Sequence, residues 1–295
     1  MKRIRLFLFA AGCCILAGCG WFGFGGTADV REEKTMDGKA VDEVFIEAAA
    51  SDIEVIPASG TDLVVSLEGQ IDEKMVDRYQ WTVKQENHKL QVKYLLKKGR
   101  VGLRTGSDKD VNLIVKLPEK LYDSLKVKGS SGDIAVKKVH TKHMEIETES
   151  GDQTMNDVII HEQLALASSS GSLSLKHNEA NKAKLFTESG NIQSTGMQAD
   201  HLTASTSSGD ISVSAESMEG NMKLASTSGD ILVQSNQQPD SLKVDFLSHS
   251  GKAHLPENYF TIKEKTENSL LGEIGKKKYL LNARTESGDF SFKFF

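Results

Sequence analysis

The sequence predicts an all-β chain wound into a single-stranded β-solenoid (β-helix) of about 20-residue coils, and three observations carry that expectation. Between residues 131 and 288 Ser-Gly recurs with its glycine at Gly132, Gly151, Gly171, Gly190, Gly209, Gly229, Gly251 and Gly288, at gaps of 19, 20, 19, 19, 20, 22 and 37 residues. Self-similarity near 20 residues marks a repeat architecture whose units bury their apolar faces only by stacking on neighbours. In most copies apolar residues lie five and seven positions before the glycine and two and four after it, as in LTASTSSGDISV and MKLASTSGDILV. Alternation with period 2 on both sides of a turn is a pair of half-buried strands, and the Thr, Ser, Val and Ile content favours strand. No competing helical period runs through these segments.

The chain opens with MKRIRLFLFAAGCCILAGC: basic residues, an apolar run too short for a comfortable membrane span, then Leu16-Ala17-Gly18-Cys19. This reads as a secretory signal over residues 1–18. It is similar to a bacterial lipobox, which implies cleavage before Cys19 and diacylation of its thiol. All three cysteines, Cys13, Cys14 and Cys19, lie here, so the processed chain would have no thiol for disulfides, metals or nucleophilic chemistry. Loss of Lys2, Arg3 and Arg5 moves the formal charge from −5 to −8. An acidic body argues against nucleic acid or polyanionic wall polymers as a bulk electrostatic partner. Residues 19–40 mix glycine with charge and read as a lipidated cysteine and flexible tether, with Trp21, Phe22 and Phe24 suited to a membrane interface.

The β-solenoid domain is expected over 41–295, in three stretches. Residues 41–120 carry longer alternating segments, VFIEAA, SDIEVIP, TDLVVSLEGQ, YQWTVKQ, KLQVKYLL and VNLIVKLP, which would form irregular coils and cap one end. Ala58-Ser59-Gly60 is placed like a degenerate corner there. Residues 121–255 are the regular repeats. Residues 256–295 are C-terminal coils, with Leu271-Gly272-Glu273-Ile274-Gly275 as a diverged coil and Phe290, Phe292 and Phe294 on one face of a last strand.

Each Ser-Gly-Asp is expected to be a corner, with the glycine, Gly209 and Gly229 for instance, supplying φ > 0. Three positions earlier the residue is small or β-branched: Gly129, Thr148, Ser168, Thr187, Thr206, Ser226, Ser248 and Thr285. One position later comes a polar column, Asp133, Asp152, Ser172, Asn191, Asp210, Asp230, Lys252 and Asp289, which stacking would bring together at about 5 Å. Because Ser172, Asn191 and Lys252 interrupt the acids, corner capping is favoured over a cation ladder. No metal ligands, cofactor or catalytic residues are assigned. The histidines lack metal spacing, and no nucleophile elbow or phosphate loop is present. Lysine clusters at Lys97, Lys98, Arg100 and Arg104, and at Lys276 to Lys278, read as solvated loops.

The lipobox, the acidic tether, Ile114-Val115-Lys116-Leu117-Pro118, the serial Ser-Gly-Asp corners, the 271–275 segment and the terminal Glu-Ser-Gly-Asp-Phe-Ser-Phe together resemble the LiaG-like proteins of bacilli. These belong to a β-strand-repeat family of candidate adhesins to which no activity is assigned. The resemblance covers about 41–295 and implies a β-solenoid in the cell envelope, some members being encoded beside envelope-stress signalling systems. It supplies no catalytic residues. The expected role is that of a non-enzymatic, lipid-anchored envelope protein, a binding scaffold or signalling accessory on the extracytoplasmic face of the bacterial cell membrane, with an envelope protein or glycan as ligand. The alternative is a polysaccharide-processing enzyme using Asp and Glu of adjacent coils.

Overall fold

The computed structural model describes residues 26–97, 111–276 and 278–294. The lipobox with Cys19, the aromatic trio Trp21, Phe22 and Phe24, and the Lys98 to Arg104 cluster lie outside the described residues. In chain order the strands begin with β1 (Thr27–Asp37), β2 (Glu43–Ala48), β3 (Asp52–Pro57), β4 (Asp62–Asp72), β5 (Tyr79–Glu86), β6 (Lys89–Leu96) and β7 (Asn112–Leu117). Then a long strand and a short one alternate: β8 (Leu121–Gly129) and β9 (Ile134–Lys137), β10 (His140–Thr148) and β11 (Gln153–Asn156), β12 (Ile159–Ser168) and β13 (Leu173–Lys176). The alternation continues with β14 (Glu179–Thr187) and β15 (Ile192–Thr195), β16 (Gln198–Thr206) and β17 (Ile211–Ala215), β18 (Asn221–Ser226) and β19 (Ile231–Ser235). The chain closes with β20 (Ser241–Leu247), β21 (Ala253–His254), β22 (Thr261–Lys265), β23 (Ser269–Gly275), β24 (Tyr279–Thr285) and β25 (Phe290–Phe294).

The short strands join one 12-stranded sheet and the long strands one 13-stranded sheet, parallel through their centres. Register is strict because the side-chain period is 2 and one face of each sheet is buried. Ile192 of β15 lies beside Leu173 and Ile211, and Leu185 of β14 beside Leu166 and Ala204. The inward columns, Val127, Ile146, Leu166, Leu185 and Leu224 from one sheet and Ile134, Leu173, Ile192, Ile211 and Ile231 from the other, are fully buried and make one continuous core.

Chain order and stack order part at both ends. The first coil, β2 with β3, sits between β6 with β7 and β8 with β9. The last coil, β24 with β25, is inserted between β18 with β19 and β20 with β21. Three sequence expectations are thereby corrected. Residues 27–37, read as tether, form β1 in antiparallel register with β4, since their alternation offers an edge strand a partner. Leu271 to Gly275 belongs not to a coil but to the hairpin β22–β23, antiparallel to β20, which ends the 13-stranded sheet. Ala58-Ser59-Gly60 is no repeat corner: a Cβ on Gly60 would meet nothing within 4 Å, and the corner of the first coil is Ser51-Asp52. Phe290 and Phe292 are buried and Phe294 half-buried, Phe290 stacking on Phe246 at 5.5 Å between ring centres. The outer strands β1, β5 and β22 are antiparallel to their neighbours and β21 is only two residues long; β1 carries Asp29, Arg31, Glu32, Glu33 and Lys34, and charge or shortness protects an edge from pairing with other chains.

Candidate functional site

The glycines of the Ser-Gly copies stack in one column, and its geometry differs from the expected one. Positive φ occurs at Gly69, Gly196, Gly220 and Gly275 among the described glycines, and at none of the eight Ser-Gly positions. Close approach explains the glycines instead. A Cβ on Gly151 would lie 1.9 Å from the carbonyl oxygen of Gly132, one on Gly190 2.1 Å from that of Gly171, and one on Gly229 2.0 Å from that of Gly209. Gly132 meets Ser51 in the same way, Gly288 meets Gly229, and Gly251 meets Gly288. Each coil therefore rests backbone on backbone on the coil before it.

Two hydrogen-bond ladders flank this column. Inside, the hydroxyl three positions before the glycine is buried and tied to glycine backbone: Thr187 Oγ1 donates to Gly171 O at 2.9 Å and accepts from Gly190 N at 3.1 Å, and Thr206 Oγ1 donates to Gly190 O at 3.0 Å. Ser168 and Ser248 Oγ accept from Gly171 N and Gly251 N at 2.8 and 2.7 Å. Outside, each residue after the glycine accepts the backbone N–H of its successor in the stack. Asp52 Oδ1 accepts from Asp133 N, Asp133 from Asp152 N, Asp152 from Ser172 N, Asn191 from Asp210 N, Asp210 from Asp230 N, Asp230 from Asp289 N and Asp289 from Lys252 N, at 2.7 to 2.9 Å. At the neutral link Ser172 Oγ accepts from Asn191 N at 3.4 Å, the longest of the set.

Lys252 thus does not interrupt the column. It ends it, at the one level where no further coil needs an acceptor, because the coil of Asp289 lies between those of Asp230 and Lys252. Asp52, which opens the ladder, was not legible, since no Ser-Gly precedes it. Among the described residues no group of three or more His, Cys, Asp or Glu side chains could hold a metal ion.

The opposite turn of each coil has its own column. Lys138, Asp157, His177 and Gly196 take φ of 51°, 55°, 51° and 64°, and each N–H bonds the carbonyl of the next coil, as His177 N does with Thr195 O at 2.8 Å. Behind it the buried residues are Val139, Val158, Asn178 and Met197. Asn178 is polar there because its amide replaces a backbone contact: Oδ1 accepts from Val158 N at 2.9 Å and Nδ2 donates to Met155 O at 3.1 Å. Gln153 also enters an apolar column, its Nε2 donating to Thr148 Oγ1 and Ala167 O at 2.9 and 2.7 Å.

Outside the columns the perturbed groups belong to ion pairs or to the core, apart from Lys278, which Tyr279 beside it pushes up. The Lys120 ammonium, hydrogen-bonded to Asp42 at 3.0 Å, holds that carboxyl below the usual carboxylate range. Lys128 does the same for Glu147. Burial pushes the Tyr94 phenol up to about 12, and burial followed by the charge of Asp42 pushes Tyr122 up. These are structural shifts that carry each group away from neutral pH, where a general acid or base would titrate. Two shallow cavities of about 350 and 360 Å³ open on the surface, the first containing Glu267 as its one carboxylate and the second containing none. No helix among the described residues is long and apolar enough to cross a membrane.

A family model described as Toastrack DUF4097 matches residues 41–293. Among solved structures, a candidate adhesin from Bacteroides fragilis is similar over 90% of this chain and 97% of its own, at 15% identity and a TM-score of 0.52. A candidate adhesin from Parabacteroides distasonis covers 89% of this chain and 97% of its own at 12% identity and a TM-score of 0.47. One from Parabacteroides merdae covers 71% and 90% at 13% identity and a TM-score of 0.44. No protein of curated function matches.

Proposed function

The chain belongs to the Toastrack DUF4097 family, and on that premise we propose that it is a non-enzymatic, adhesin-like scaffold, lipid-anchored through Cys19 on the extracytoplasmic face of the bacterial cell membrane. Its body is read as a β-solenoid of about 20-residue coils cornered by Ser-Gly-Asp, displaying two flat outer faces to an envelope protein or glycan. The observation that carries this reading is the use to which the repeated polar residues are put. The aspartates that recur are committed to a backbone N–H of a neighbouring coil and the hydroxyls to glycine backbone of their own or the neighbouring coil, which leaves the outer faces for recognition. The enzymatic alternative needs two carboxylates converging in a groove, and neither cavity is lined by such a pair.

Because β1 starts at Thr27, only residues 20–26 separate Cys19 from the first strand, a reach of at most about 25 Å. The β1 end of the stack would stay at the membrane, with little freedom to extend away from it. Incorporation of a fatty-acid analogue tests this: the wild-type chain is expected to be labelled, and Cys19→Ser to be unlabelled and unprocessed or released. Labelling that persists in Cys19→Ser would overturn the anchor.

A further inference from the structure

The outer face of the 13-stranded sheet changes character along the stack. From β6 to β10 its cations meet carboxylates on the neighbouring strand: Lys89 with Glu43 at 3.5 Å, Lys93 with Glu47 at 3.1 Å, Lys126 with Glu145 at 2.6 Å, and Lys128 with Glu147. From β14 to β18 the pairing stops. Lys182 and Lys184 of β14 and Lys223 of β18 are exposed, and none forms a salt bridge among the described residues. Register explains why. Lys182 lies between Gln163 and His201, Lys184 between Ala165 and Thr203, and Lys223 between Thr203 and Asn282. Of the flanking acids, Glu162 is engaged by His143 at 3.2 Å and Asp245 by Arg284 at 3.0 Å, while Glu179 of β14 and Asp200 of β16 lie exposed near the starts of their strands.

Large apolar side chains stand on the same face. Phe186 is 37% exposed, Leu280 39% and Leu247 51%, with Ser205, Ala225 and Thr203 between them as low ground. The cavity of about 360 Å³ opens here between β16, β18 and β24, lined by His201, Asn221, Lys223, Leu280 and Asn282 among others. Unpaired lysines on flexible stems, with apolar side chains at the same level and hydrogen-bonding groups in a shallow notch, fit a surface that is anionic, extended and apolar beneath. We propose that this part of the 13-stranded sheet, from β14 to β24, rests on an anionic lipid bilayer, its lysines among the phosphates and Phe186 and Leu280 at the acyl boundary. A soluble polyanion would satisfy the lysines and leave the apolar side chains in water. Lysine, a point charge, suits a diffuse layer of phosphates better than fixed bidentate recognition.

The face begins six strands from β5 in sheet order, about 29 Å from the end where β1 lies. With that end held near a membrane, as the anchor reading has it, the stack would lie along the bilayer, and weak contacts would act at high effective concentration. The test separates the two ideas. Full-length chains carrying Ser205→Cys on this face or Ser212→Cys on the opposite sheet are labelled with a polarity-sensitive fluorophore and incorporated into vesicles of phosphatidylcholine or phosphatidylglycerol. Flotation with neutral vesicles reports the anchor, whatever the face does. The expected result is a blue shift and intensity rise for the probe at 205 on phosphatidylglycerol alone, and no change at 212. The shift should be lost in Lys182→Glu/Lys184→Glu/Lys223→Glu with unchanged melting temperature, and at 1 M salt, where the screening length falls to about 3 Å. Equal signals at 205 and 212, equal signals on the two lipids, or a shift produced only by a soluble polyphosphate would overturn the proposal.

Discussion

Each coil of the central stack turns twice, and the two turns obey opposite rules. The Ser-Gly-Asp turn repeats its residues coil after coil although its glycines have no unusual backbone angle. The turn at Lys138, Asp157, His177 and Gly196 repeats an unusual backbone angle with four different residues. At the first turn neighbouring coils touch backbone to backbone, and a side chain of any size would separate them. At the second, the side chains of Lys138, Asp157 and His177 point to solvent, so the left-handed conformation costs each of them something but excludes none. What a sequence repeats, in a stacked protein, is what one copy does to the next.

The sharpest way to break this comparison is to place a methyl group in the column. Gly209→Ala puts a Cβ 2.1 Å from Gly190 O and should cost about 3 kcal/mol or more, seen as a large fall in thermal midpoint. Gly60→Ala, in open space outside the column, should be neutral or stabilising by about 0.5 kcal/mol. Equal melting of the two variants would remove close approach as the reason for the repeat. The next effect in size belongs to the buried hydroxyls. Thr187→Val keeps the shape but strands Gly171 O and Gly190 N, an expected loss of about 1 to 3 kcal/mol by denaturant titration.

A smaller effect distinguishes the middle of the outer ladder from its end. Asp210→Ala should cost about 1 kcal/mol by removing the acceptor of Asp230 N, whereas Lys252→Ala, at the terminal level, should cost nothing measurable. The smallest change is expected at the second turn, where Lys138→Gly should stabilise by up to about 1 kcal/mol through relief of its left-handed backbone. Destabilisation there would mean that the Lys138 side chain, and not its conformation alone, is part of the turn.

Most of the stack was legible in the sequence because it rests on contacts repeated at short range. The 19- and 20-residue steps of the ladder are the spacing of the glycines themselves. What escaped was of three kinds. The second turn has a shared angle and no shared residue, so no pattern marks it. Asn178 and Gln153 look like errors in an apolar column until their backbone partners are seen. The order of the last coils was hidden too, because Asp289 bonds Asp230 across 59 residues and Lys252 bonds Asp289 across 37, distances on which a local repeat is silent. The unpaired lysines were equally hidden, since Lys184 and Lys126 look alike until register sets one beside Ala165 and the other beside Glu145.

The threading of the final coil has a consequence for how the molecule is made. A chain growing from its N-terminus can lay coil on coil as far as β18 and β19, but the segment that follows has no seat of its own: β20 and β21 dock on β24 and β25, which emerge after them. Until β24 and β25 are out, the β18 and β19 edges lie bare, each a template for an identical chain nearby. Closure of that edge waits on β24 and β25 as on a latch, and a nascent chain cut short before β24 would be a seed for self-association.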